Sequence, residues 1–308
     1  MAVKKVDKIW MNGKLVNWDD ARIHVLSHVV HYGSSWFEGI RCYETDKGSA
    51  IFRLDSHLRR LFDSVRIYRT EIPFSVEQIE QAVLETIRAN RMRACYVRPI
   101  VYRGYGDVGV NPLSCPVDVG IAVWEWGTYL GPEALSEGID VCVSTWNRPA
   151  PNTHPAMSKA AGNYALSQLM KIEAIQAGFK EAIALDVNGQ ISEGTGENIF
   201  AVRDGTIFTP ALSSSLLPGV TRASVITLAR EAGYRVEETS LPREMLYVAD
   251  ELFFTGTAAE VTPVRSVDRV KVADGKPGPV TQQMQKSFFD IVKHANDPHH
   301  WLKFVYND

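Results

Sequence analysis

Several features that mark whole classes of protein are scarce or missing in this sequence. Only four cysteines occur among 308 residues, and none forms a C-x-x-C pair, which argues against structural zinc and indicates reduced thiols. No apolar run approaches the roughly 18 residues that a membrane-spanning helix needs. The formal net charge of -3 gives no basic excess for binding nucleic acid. We therefore expect a soluble globular protein with neither a membrane nor a nucleic-acid partner.

The start of the chain and the histidines also carry little functional signal. Residues 4–8, KKVDK, lack the apolar core of a signal peptide, so a cytoplasmic location is expected. The pairs His28/His31 and His299/His300 have no third ligand at a familiar spacing. No metal site is predicted.

The length of the chain indicates two domains, because 308 residues exceed what one compact core usually holds. Strand and helix patterns alternate up to residue 127, and the periodicity is lost around Gly131 and Pro132. We predict a small α/β domain at 1–127, an interdomain connector at 128–138 and a larger domain at 139–308.

Local signals place helices and strands in the first half. Residues 50–53 are typical of a short strand, and Asp55 is expected to cap the helix that follows. Ser75 and Gln78 form the pattern of a capping box ahead of a second amphipathic helix. Strands are predicted at 94–102 and 117–126.

The second half contains both helix and hairpin signals. A strand is predicted at 139–144 and a helix at about 162–177. Asn188-Gly189 and Asp204-Gly205 are dipeptides that favour tight hairpin turns. Thr221 is expected to cap a further helix, and apolar spacing predicts a final helix at 280–292.

One glycine motif suggests a dinucleotide site but lacks its context. Residues 104–109 match G-x-G-x-x-G, whose last glycine normally lets a helix begin and point at a pyrophosphate. Val110-Asn111-Pro112 follows here, and no helix can start smoothly there. We interpret the motif as a flexible loop, which removes the main support for a dehydrogenase.

Lys159 is the candidate residue for which other segments of the sequence give the most functional information. It lies among small residues just before a helix, and a lysine taken alone is usually a solvated charge. Three glycine- and threonine-rich segments follow in order, at 192–198, 217–222 and 255–260. Together with Lys159 they suit the parts of pyridoxal phosphate.

Each of those segments has a plain structural interpretation and a functional one. A helix N-terminus at Val220-Thr221 offers N–H groups to a phosphate, or it is an ordinary cap. Gly256-Thr257 lets the backbone approach a ligand closely, or it is only a tight turn. Glu193 can keep a pyridine nitrogen protonated, although an exposed loop glutamate is the commoner case.

Taken together, the motifs of this chain resemble those of bacterial branched-chain aminotransferases, which are pyridoxal phosphate enzymes of fold type IV. The matching segments run almost end to end: Ile9–Gly13, His31–Arg41, Tyr96–Pro99, Ser144–Arg148, Ser158–Tyr164 and Gly256–Arg265. The resemblance implies a mixed α/β, two-domain fold like that of D-amino-acid aminotransferase. The larger domain would bind the cofactor, which would lie at the domain interface.

The resemblance also implies roles for individual residues. Lys159 would be the Schiff-base lysine and proton carrier, Glu193 the partner of the pyridine nitrogen and Tyr164 that of the ring oxygen. The remaining cofactor contacts would be Arg60, Leu217, Gly219, Val220, Thr221, Gly256 and Thr257. The substrate pocket would be lined by Phe37, Gly39, Tyr96, Arg98, Trp126, Tyr129, Thr257, Ala258 and Ala259, with Tyr32 and Val110 reaching in from a partner subunit.

The implied activity is the reversible transfer of the amino group of leucine, isoleucine or valine to 2-oxoglutarate, by a ping-pong mechanism. A homodimer would be the active unit, with hexamers as a further assembly. D-amino-acid transaminase, amine transaminase and aminodeoxychorismate lyase are the alternatives within the same fold. Trp36 and the Gly104–Val110 loop depart from the family pattern near the expected substrate entrance, so they bear on substrate breadth.

Overall fold

The computed structural model describes residues 3–127, 130–131 and 133–306. Its strands are β1 (Lys8–Met11), β2 (Lys14–Asn17), β3 (Ser35–Phe37), β4 (Ile40–Thr45), β5 (Gly48–Phe52), β6 (Cys95–Arg103), β7 (Val117–Trp124), β8 (Ile139–Val143), β9 (Glu181–Leu185), β10 (Ile191–Gly194), β11 (Asn198–Arg203), β12 (Thr206–Pro210), β13 (Arg235–Thr239), β14 (Glu251–Gly256), β15 (Glu260–Val267), β16 (Val270–Lys271) and β17 (Leu302–Phe304). Its α-helices are α1 (His28–Tyr32), α2 (Leu54–Ile67), α3 (Val76–Ala89), α4 (Ala134–Glu137), α5 (Asn163–Gln176), α6 (Val220–Glu231), α7 (Met245–Val248) and α8 (Pro279–Val292).

The chain forms two compact units, which interleave along the sequence. Unit 1 consists of the residues up to Gly127, the segment Ser158–Gly162 and the residues from Asp290 onwards. Unit 2 consists of residues 128–157 and Asn163–Phe289. The linear division into 1–127, a connector at 128–138 and 139–308 stays a prediction, because compactness does not test which parts fold independently.

Unit 1 is built on an antiparallel sheet in the order β17-β5-β4-β6-β7-β1-β2, with β3 beside β6. Helices α2 and α3 contribute to the core that covers this sheet: Leu58, Leu61, Val65, Ile79, Val83 and Ile87 are buried with Ile40, Val97 and Ile121. Since side chains alternate along a strand, Tyr96 and Arg98 of β6 face away from Val97 and the core. That second face of the sheet carries the candidate site residues Tyr96 and Arg98.

Unit 2 is built on a mixed sheet in the order β10-β9-β8-β15-β14-β11-β12-β13, with β16 beside β15. Strand β8 is parallel to β9 and β15, and β12 is parallel to β13. Helix α5 connects β8 to β9, and its Met170 and Ala174 are buried against Ala182 and Ala184 of β9. These two sheets confirm the predicted mixed α/β class. In the described residues, no helix is both long and apolar enough to cross a membrane.

Two of the three predicted helix caps are wrong. Helix α2 begins at Leu54, and its cap is Arg53 with a left-handed φ of 52°, so Asp55 lies inside the first turn. Helix α6 is capped by Gly219, two residues before Thr221. A Cβ at position 219 would lie 1.9 Å from Oδ1 of Asn198, so glycine is needed where the chain enters this helix. Sequence spacing alone does not show such a close approach.

Other local predictions are confirmed. Ser75 Oγ accepts the Gln78 N–H at 3.3 Å, and Gln78 Oε1 accepts the Ser75 N–H at 2.8 Å, which completes the capping box. Asn188-Gly189 joins the antiparallel strands β9 and β10, and Asp204-Gly205 joins β11 and β12. Residues 104–109 lead into no helix, so the rejection of the dinucleotide motif holds.

Trp36 is part of the unit 1 core. Its side chain is buried in the same cluster as Ala160 and lies edge-on to Tyr68, with ring centroids 5.5 Å apart. Trp36 therefore packs against the segment that carries Lys159, and its bearing on substrate breadth stays a prediction.

Candidate active site

Lys159 is fixed at its backbone by two elements of unit 1. The carbonyl of Lys159 accepts the N–H of Phe37 at 3.2 Å, and the N–H of Ala161 donates to Ser35 at 2.9 Å, so the segment lies along β3. On the other side, the N–H of Lys159 donates to Oγ of Ser64 in α2 at 2.9 Å. These contacts fix the backbone at Lys159 and so determine where its side chain begins.

The Lys159 ammonium lies in surroundings that favour its neutral form. Burial, together with the charge of Arg60, lowers the pKa of Lys159 to about 8, while Glu38 opposes the shift. Nζ lies 5.0 Å from the centre of the Phe37 ring. Because only a neutral amine is nucleophilic, this lysine is far better prepared for covalent chemistry than a solvated one.

Beside Lys159 lies a buried ionic group that sequence reasoning did not identify. Glu38 accepts two hydrogen bonds from Arg60, at 2.7 and 2.8 Å, and contacts Nδ1 of His57 at 2.7 Å. Burial alone would raise the pKa of Glu38, but Arg60 and His57 outweigh it and hold that pKa below its ordinary value. Arg60 is thereby fixed in orientation, and its role toward a phosphate stays a prediction.

Arg98 lies among aromatic rings. Its guanidinium carbon is 4.7 Å from the centre of the Phe37 ring, 5.4 Å from that of Tyr96 and 5.7 Å from that of Trp124. Nε of Arg98 is buried and has no hydrogen-bond partner in the described part of the chain. A cation with an unsatisfied donor among apolar rings is suited to bind an anionic ligand.

Tyr96 is supported by a ring contact and by a glycine. Its ring stacks on that of Trp126 with centroids 4.6 Å apart. A Cβ at Gly39 would lie 1.8 Å from the Tyr96 hydroxyl, so only glycine leaves room for that hydroxyl. The structure thus brings Phe37, Gly39, Tyr96, Arg98 and Trp126 together in unit 1, while Tyr129 lies outside the described residues.

In unit 2, Glu193 is the centre of a buried polar network. Its Oε1 pairs with Nη2 of Arg148 at 3.0 Å. Its Oε2 accepts the N–H of Leu217 at 3.0 Å and Nδ2 of Asn198 at 3.3 Å. Glu193 is therefore not the exposed loop glutamate of the plain interpretation.

The start of helix α6 lies against the same network. Nδ2 of Asn198 also donates to the carbonyl of Leu217 at 3.0 Å, so Asn198 joins Glu193 to the turn before α6. Gly219 caps this helix without a side-chain hydrogen bond, and Val220 and Thr221 are its first two residues. A helix N-terminus without a side-chain cap is suited to an anion.

The remaining predicted contacts of unit 2 lie at element ends. Gly256 is the last residue of β14, and a Cβ there would meet nothing closer than 3.5 Å, so no clash explains this glycine. Thr257, Ala258 and Ala259 follow in the turn to β15, and Tyr164 is the second residue of α5. Their roles stay predictions.

Tyr32 and Val110 lie on the surface of unit 1. Tyr32 is 47% exposed and Val110 is 86% exposed. His28 connects their surroundings, because its ring stacks on Tyr32 with centroids 4.5 Å apart and its Nε2 contacts the carbonyl of Gly109 at 2.8 Å. Among the described residues, neither side chain forms a hydrogen bond, ion pair or ring contact with Lys159.

The chain belongs to the class IV aminotransferases, because the model of that family, amino-transferase class IV, matches residues 35–267. It is 51% identical over 307 residues to the branched-chain-amino-acid aminotransferase of Escherichia coli (strain K12), covering 99% of both chains. The crystal structure of the branched-chain amino acid aminotransferase of Escherichia coli matches with a TM-score of 0.96 at 51% identity, covering 98% of this chain and 100% of that one. The branched-chain amino acid aminotransferase of Thermobaculum terrenum in its PLP form matches with a TM-score of 0.91 at 34% identity, covering 98% and 99%.

Class IV aminotransferases use pyridoxal 5'-phosphate, and the residues of this chain fit that cofactor. Lys159 has an amine with a lowered pKa, which would bond to an aldehyde carbon. Glu193 would supply a buried carboxylate for a pyridine nitrogen, and the start of α6, whose cap makes no side-chain hydrogen bond, would offer backbone donors to a phosphate. An amine, a carboxylate and an anion site are the three groups that this cofactor needs.

Four polar residues of these networks escaped sequence reasoning: Glu38, His57, Arg148 and Asn198. Glu38 and Arg148 lie inside segments that carry the family resemblance, but nothing in the spacing assigns them a partner. The one sequence signal for such residues is a charged side chain within an otherwise apolar strand or turn, because a buried charge needs a partner.

Proposed function

We propose that this chain is a branched-chain amino acid aminotransferase. It transfers the amino group of leucine, isoleucine or valine to 2-oxoglutarate and works in both directions. The observation that carries this proposal is Arg98 among Phe37, Tyr96 and Trp124, because apolar walls with one cation can accept both kinds of substrate. Identity of 51% over nearly the whole chain to the Escherichia coli enzyme supports the same substrate class.

The proposed catalysis depends on Lys159. Bound pyridoxal phosphate supplies an aldehyde that takes up the amino group and a ring that withdraws electrons from the substrate Cα. Nζ of Lys159 would hold the cofactor at rest, and as a free amine it would take the proton from the substrate Cα. A pKa of about 8, lowered by burial, gives Nζ a substantial neutral fraction near neutral pH, which this base step requires.

The other proposed cofactor contacts fix its position and charge. Glu193 binds the ring nitrogen in its protonated form, and Tyr164 donates to the ring oxygen. Arg60, Val220, Thr221 and Thr257 bind the phosphate, with Leu217, Gly219 and Gly256 in the surrounding turns. Burial of Glu193 supports its role, since an anion held away from water attracts a cationic ring strongly.

Arg98 is proposed to solve the problem of two unlike substrates. Leucine brings an aliphatic side chain, whereas glutamate brings a carboxylate that would be costly to bury alone. A guanidinium can bind that carboxylate with two parallel hydrogen bonds and otherwise lie flat on aromatic rings. Phe37, Gly39, Tyr96, Trp126, Tyr129, Ala258 and Ala259 complete the proposed pocket.

A homodimer is proposed as the active unit, with hexamers as a further assembly. Tyr32 and Val110 would enter the pocket of the partner subunit, and their exposure on this chain supports that role. A cytoplasmic location is part of the same proposal. All four cysteines are buried and free, as a reducing compartment favours.

The deciding experiment is an amino-donor panel with the purified chain and added pyridoxal phosphate, using 2-oxoglutarate as acceptor. Leucine, isoleucine and valine should give the highest kcat/KM. A higher kcat/KM with D-alanine or a simple amine would favour the other transaminases of this fold. Product release without any 2-oxo acid would favour a lyase.

A further inference from the structure

Glu193 is held by a second buried residue of opposite charge, Arg148. Nη2 of Arg148 lies 3.0 Å from Oε1 of Glu193, and Nε of Arg148 donates to the carbonyl of Ser215 at 3.2 Å. Both side chains are at least nine-tenths buried. Arg148 is therefore attached at both ends of its guanidinium, and it fixes one oxygen of Glu193.

The ion pair has a direct consequence for the charge of Glu193. A buried carboxylate without a counter-charge tends to take up a proton, because desolvation penalises the anion. Arg148 supplies that counter-charge. The hydrogen bonds from Leu217 and Asn198 to Oε2 further favour the anion and hold the plane of the carboxylate.

Glu197 shapes the turn that carries Glu193. The carbonyl of Glu197 accepts the N–H of Gly194 at 2.7 Å, and its Oε2 accepts the N–H of Gly196 at 3.0 Å. A Cβ at Gly194 would lie 2.8 Å from that same Oε2. The buried side chain of Glu197 is thus folded back onto the turn between Glu193 and Asn198.

The groups facing Glu197 make its charge unfavourable. Glu181 and Glu193 are the neighbouring acids, and Lys171 pairs with Glu181 at 2.7 Å. No lysine or arginine in the part of the chain that the structure describes forms an ion pair with Glu197 itself. Burial, with smaller effects from Glu181 and Glu193, raises the pKa of Glu197 to about 8, against the opposing effects of Gly196 and Lys171.

We propose that Arg148 and Glu197 are the positioning residues of Glu193: Arg148 keeps it ionised and oriented, and Glu197 packs its turn as a neutral acid. This inference rests on the proposed function, in which Glu193 contacts the ring nitrogen of the cofactor. Neither residue touches the reacting atoms, so both act through Glu193.

The first arm of the test compares Arg148→Met, Arg148→Lys and Arg222→Met as holoenzymes. Arg222 is the matched control, because it is buried to the same degree as Arg148, each being 5% exposed, and it bonds to Pro210 and Glu238 instead. Arg148→Met should lower kcat about 10- to 100-fold, as loss of one charge-assisted contact predicts, with KM for leucine within about threefold. Arg148→Lys should recover part of kcat, and Arg222→Met should change kcat by less than about threefold.

The second arm uses the apoenzyme, so that activity is not the only readout. The unfolded chain loses the Glu197 proton near its ordinary pKa of 4.5, whereas the folded chain keeps it up to about pH 8. Stability should therefore fall between these two pH values in the wild type and less so in Glu197→Gln. The melting temperature of Glu197→Gln minus that of the wild type should increase from pH 5 to pH 8.

Activity of the Glu197 variants separates shape from charge. Glu197→Gln should retain much more of kcat than Glu197→Ala, because the amide preserves the packed turn. Equal losses in the two variants, or a melting difference that does not vary with pH, would overturn the neutral-acid role. Equal kcat in Arg148→Met and Arg222→Met would overturn the role of Arg148.

The outcome also distinguishes this inference from the proposed function. If Lys159→Ala keeps multiple-turnover transamination, the proposed function itself is wrong. If Lys159→Ala is inactive while Arg148→Met behaves like Arg222→Met, the function stands and only the positioning roles fail.

Discussion

The two groups of site residues differ in how completely their polar atoms are paired. In unit 1, Arg98 lies on aromatic rings, and its Nε has no hydrogen-bond partner among the described residues. The pKa of Lys159 is lowered to about 8, chiefly by burial. In unit 2, both oxygens of Glu193 are bonded to donors from the backbone, Asn198 and Arg148. The first group is suited to form new contacts with a ligand, whereas the second is suited to keep a fixed geometry.

This contrast follows from elementary electrostatics. A group that must form and break contacts cannot be fully satisfied by the protein, whereas a group that stabilises charge works best when it does not reorganise. Burial of the Lys159 amine and of Nε of Arg98 is unfavourable, and Glu38 offsets it only partly for Lys159. Glu193 has no such conflict because its partners are present before any ligand arrives.

The largest expected effect is that of Lys159→Ala, which removes the group that changes its bonding. In the proposed mechanism the proton of Cα has no base without Nζ, so multiple turnover should fall at least about a thousandfold, within the range that catalytic bases and nucleophiles contribute together. Cofactor should still bind through the phosphate contacts. The measurement is kcat with leucine and 2-oxoglutarate, alongside cofactor absorbance. Activity near that of the wild type would show that Lys159 is a structural residue, and the contrast between a reactive group in unit 1 and a fixed group in unit 2 would then be wrong.

Glu193→Gln should have the next largest effect, because it keeps shape and removes charge. The amide leaves the ring nitrogen without its anion, and kcat should fall about 10- to 100-fold, while cofactor affinity changes less. Titrating the apoenzyme with pyridoxal phosphate measures that affinity. A loss confined to affinity, with kcat unchanged, would show that Glu193 only binds.

Arg98→Ala should have an effect that depends on the substrate. Glutamate and 2-oxoglutarate should lose about 10- to 100-fold in kcat/KM, because their second carboxylate loses a charged partner, while leucine stays within about threefold. Single-turnover spectra of the cofactor measure the two halves separately. Arg103→Ala is the control on the same strand, since Arg103 bonds to Cys115 and Thr70 and its loss should affect both halves alike. Equal losses in Arg98→Ala would remove its role in discrimination.

A smaller effect tests the burial of Lys159 through stability. Its pKa of about 8, lowered by burial from 10.5, means that the unfolded chain binds more protons between these two pH values. Stability of the apoenzyme therefore rises with pH across that window. Lys159→Met should melt higher than the wild type at pH 7, and this advantage should shrink between pH 8 and 10.5. Lys14→Met, at an exposed lysine, controls for the loss of one charge, and an advantage that is constant with pH would contradict the burial.

Sequence reasoning found the elements of this fold where the signal was local. The Ser75–Gln78 capping box and the Asp204-Gly205 hairpin depend on a few adjacent residues, and both were predicted correctly. The caps at Asp55 and Thr221 were wrong because distant contacts decided them. Asn198, twenty-one positions before Gly219 in the chain, determines where α6 can begin.

The candidate site was predictable to a similar degree. Lys159 and Glu193 were recognisable from motifs, but their partners Ser64, Glu38 and Arg148 come from other elements. Neither the lowered pKa of Lys159 nor the ion pair of Glu193 has any sequence signature, because both arise from burial and three-dimensional proximity. The chemistry was readable from the sequence, whereas the electrostatic environment was not.

The smallest expected effect lies outside both groups, at the capping box of α3. Ser75→Ala removes the hydroxyl that accepts the Gln78 N–H, leaving one helix donor without its partner. Loss of such a cap costs about 1 kcal/mol, so the melting temperature should fall by about 2–4 °C for a chain of this size. Ser75→Asp keeps an acceptor at the cap and should restore most of that loss. Because Ser75 lies on the helix layer of unit 1 and not on the face of the sheet that carries Arg98, kcat should be the same in all three proteins. A fall in kcat in proportion to the fall in melting temperature would contradict this expectation. It would mean that lower stability of the helix layer also disturbs the face of the sheet that carries Arg98.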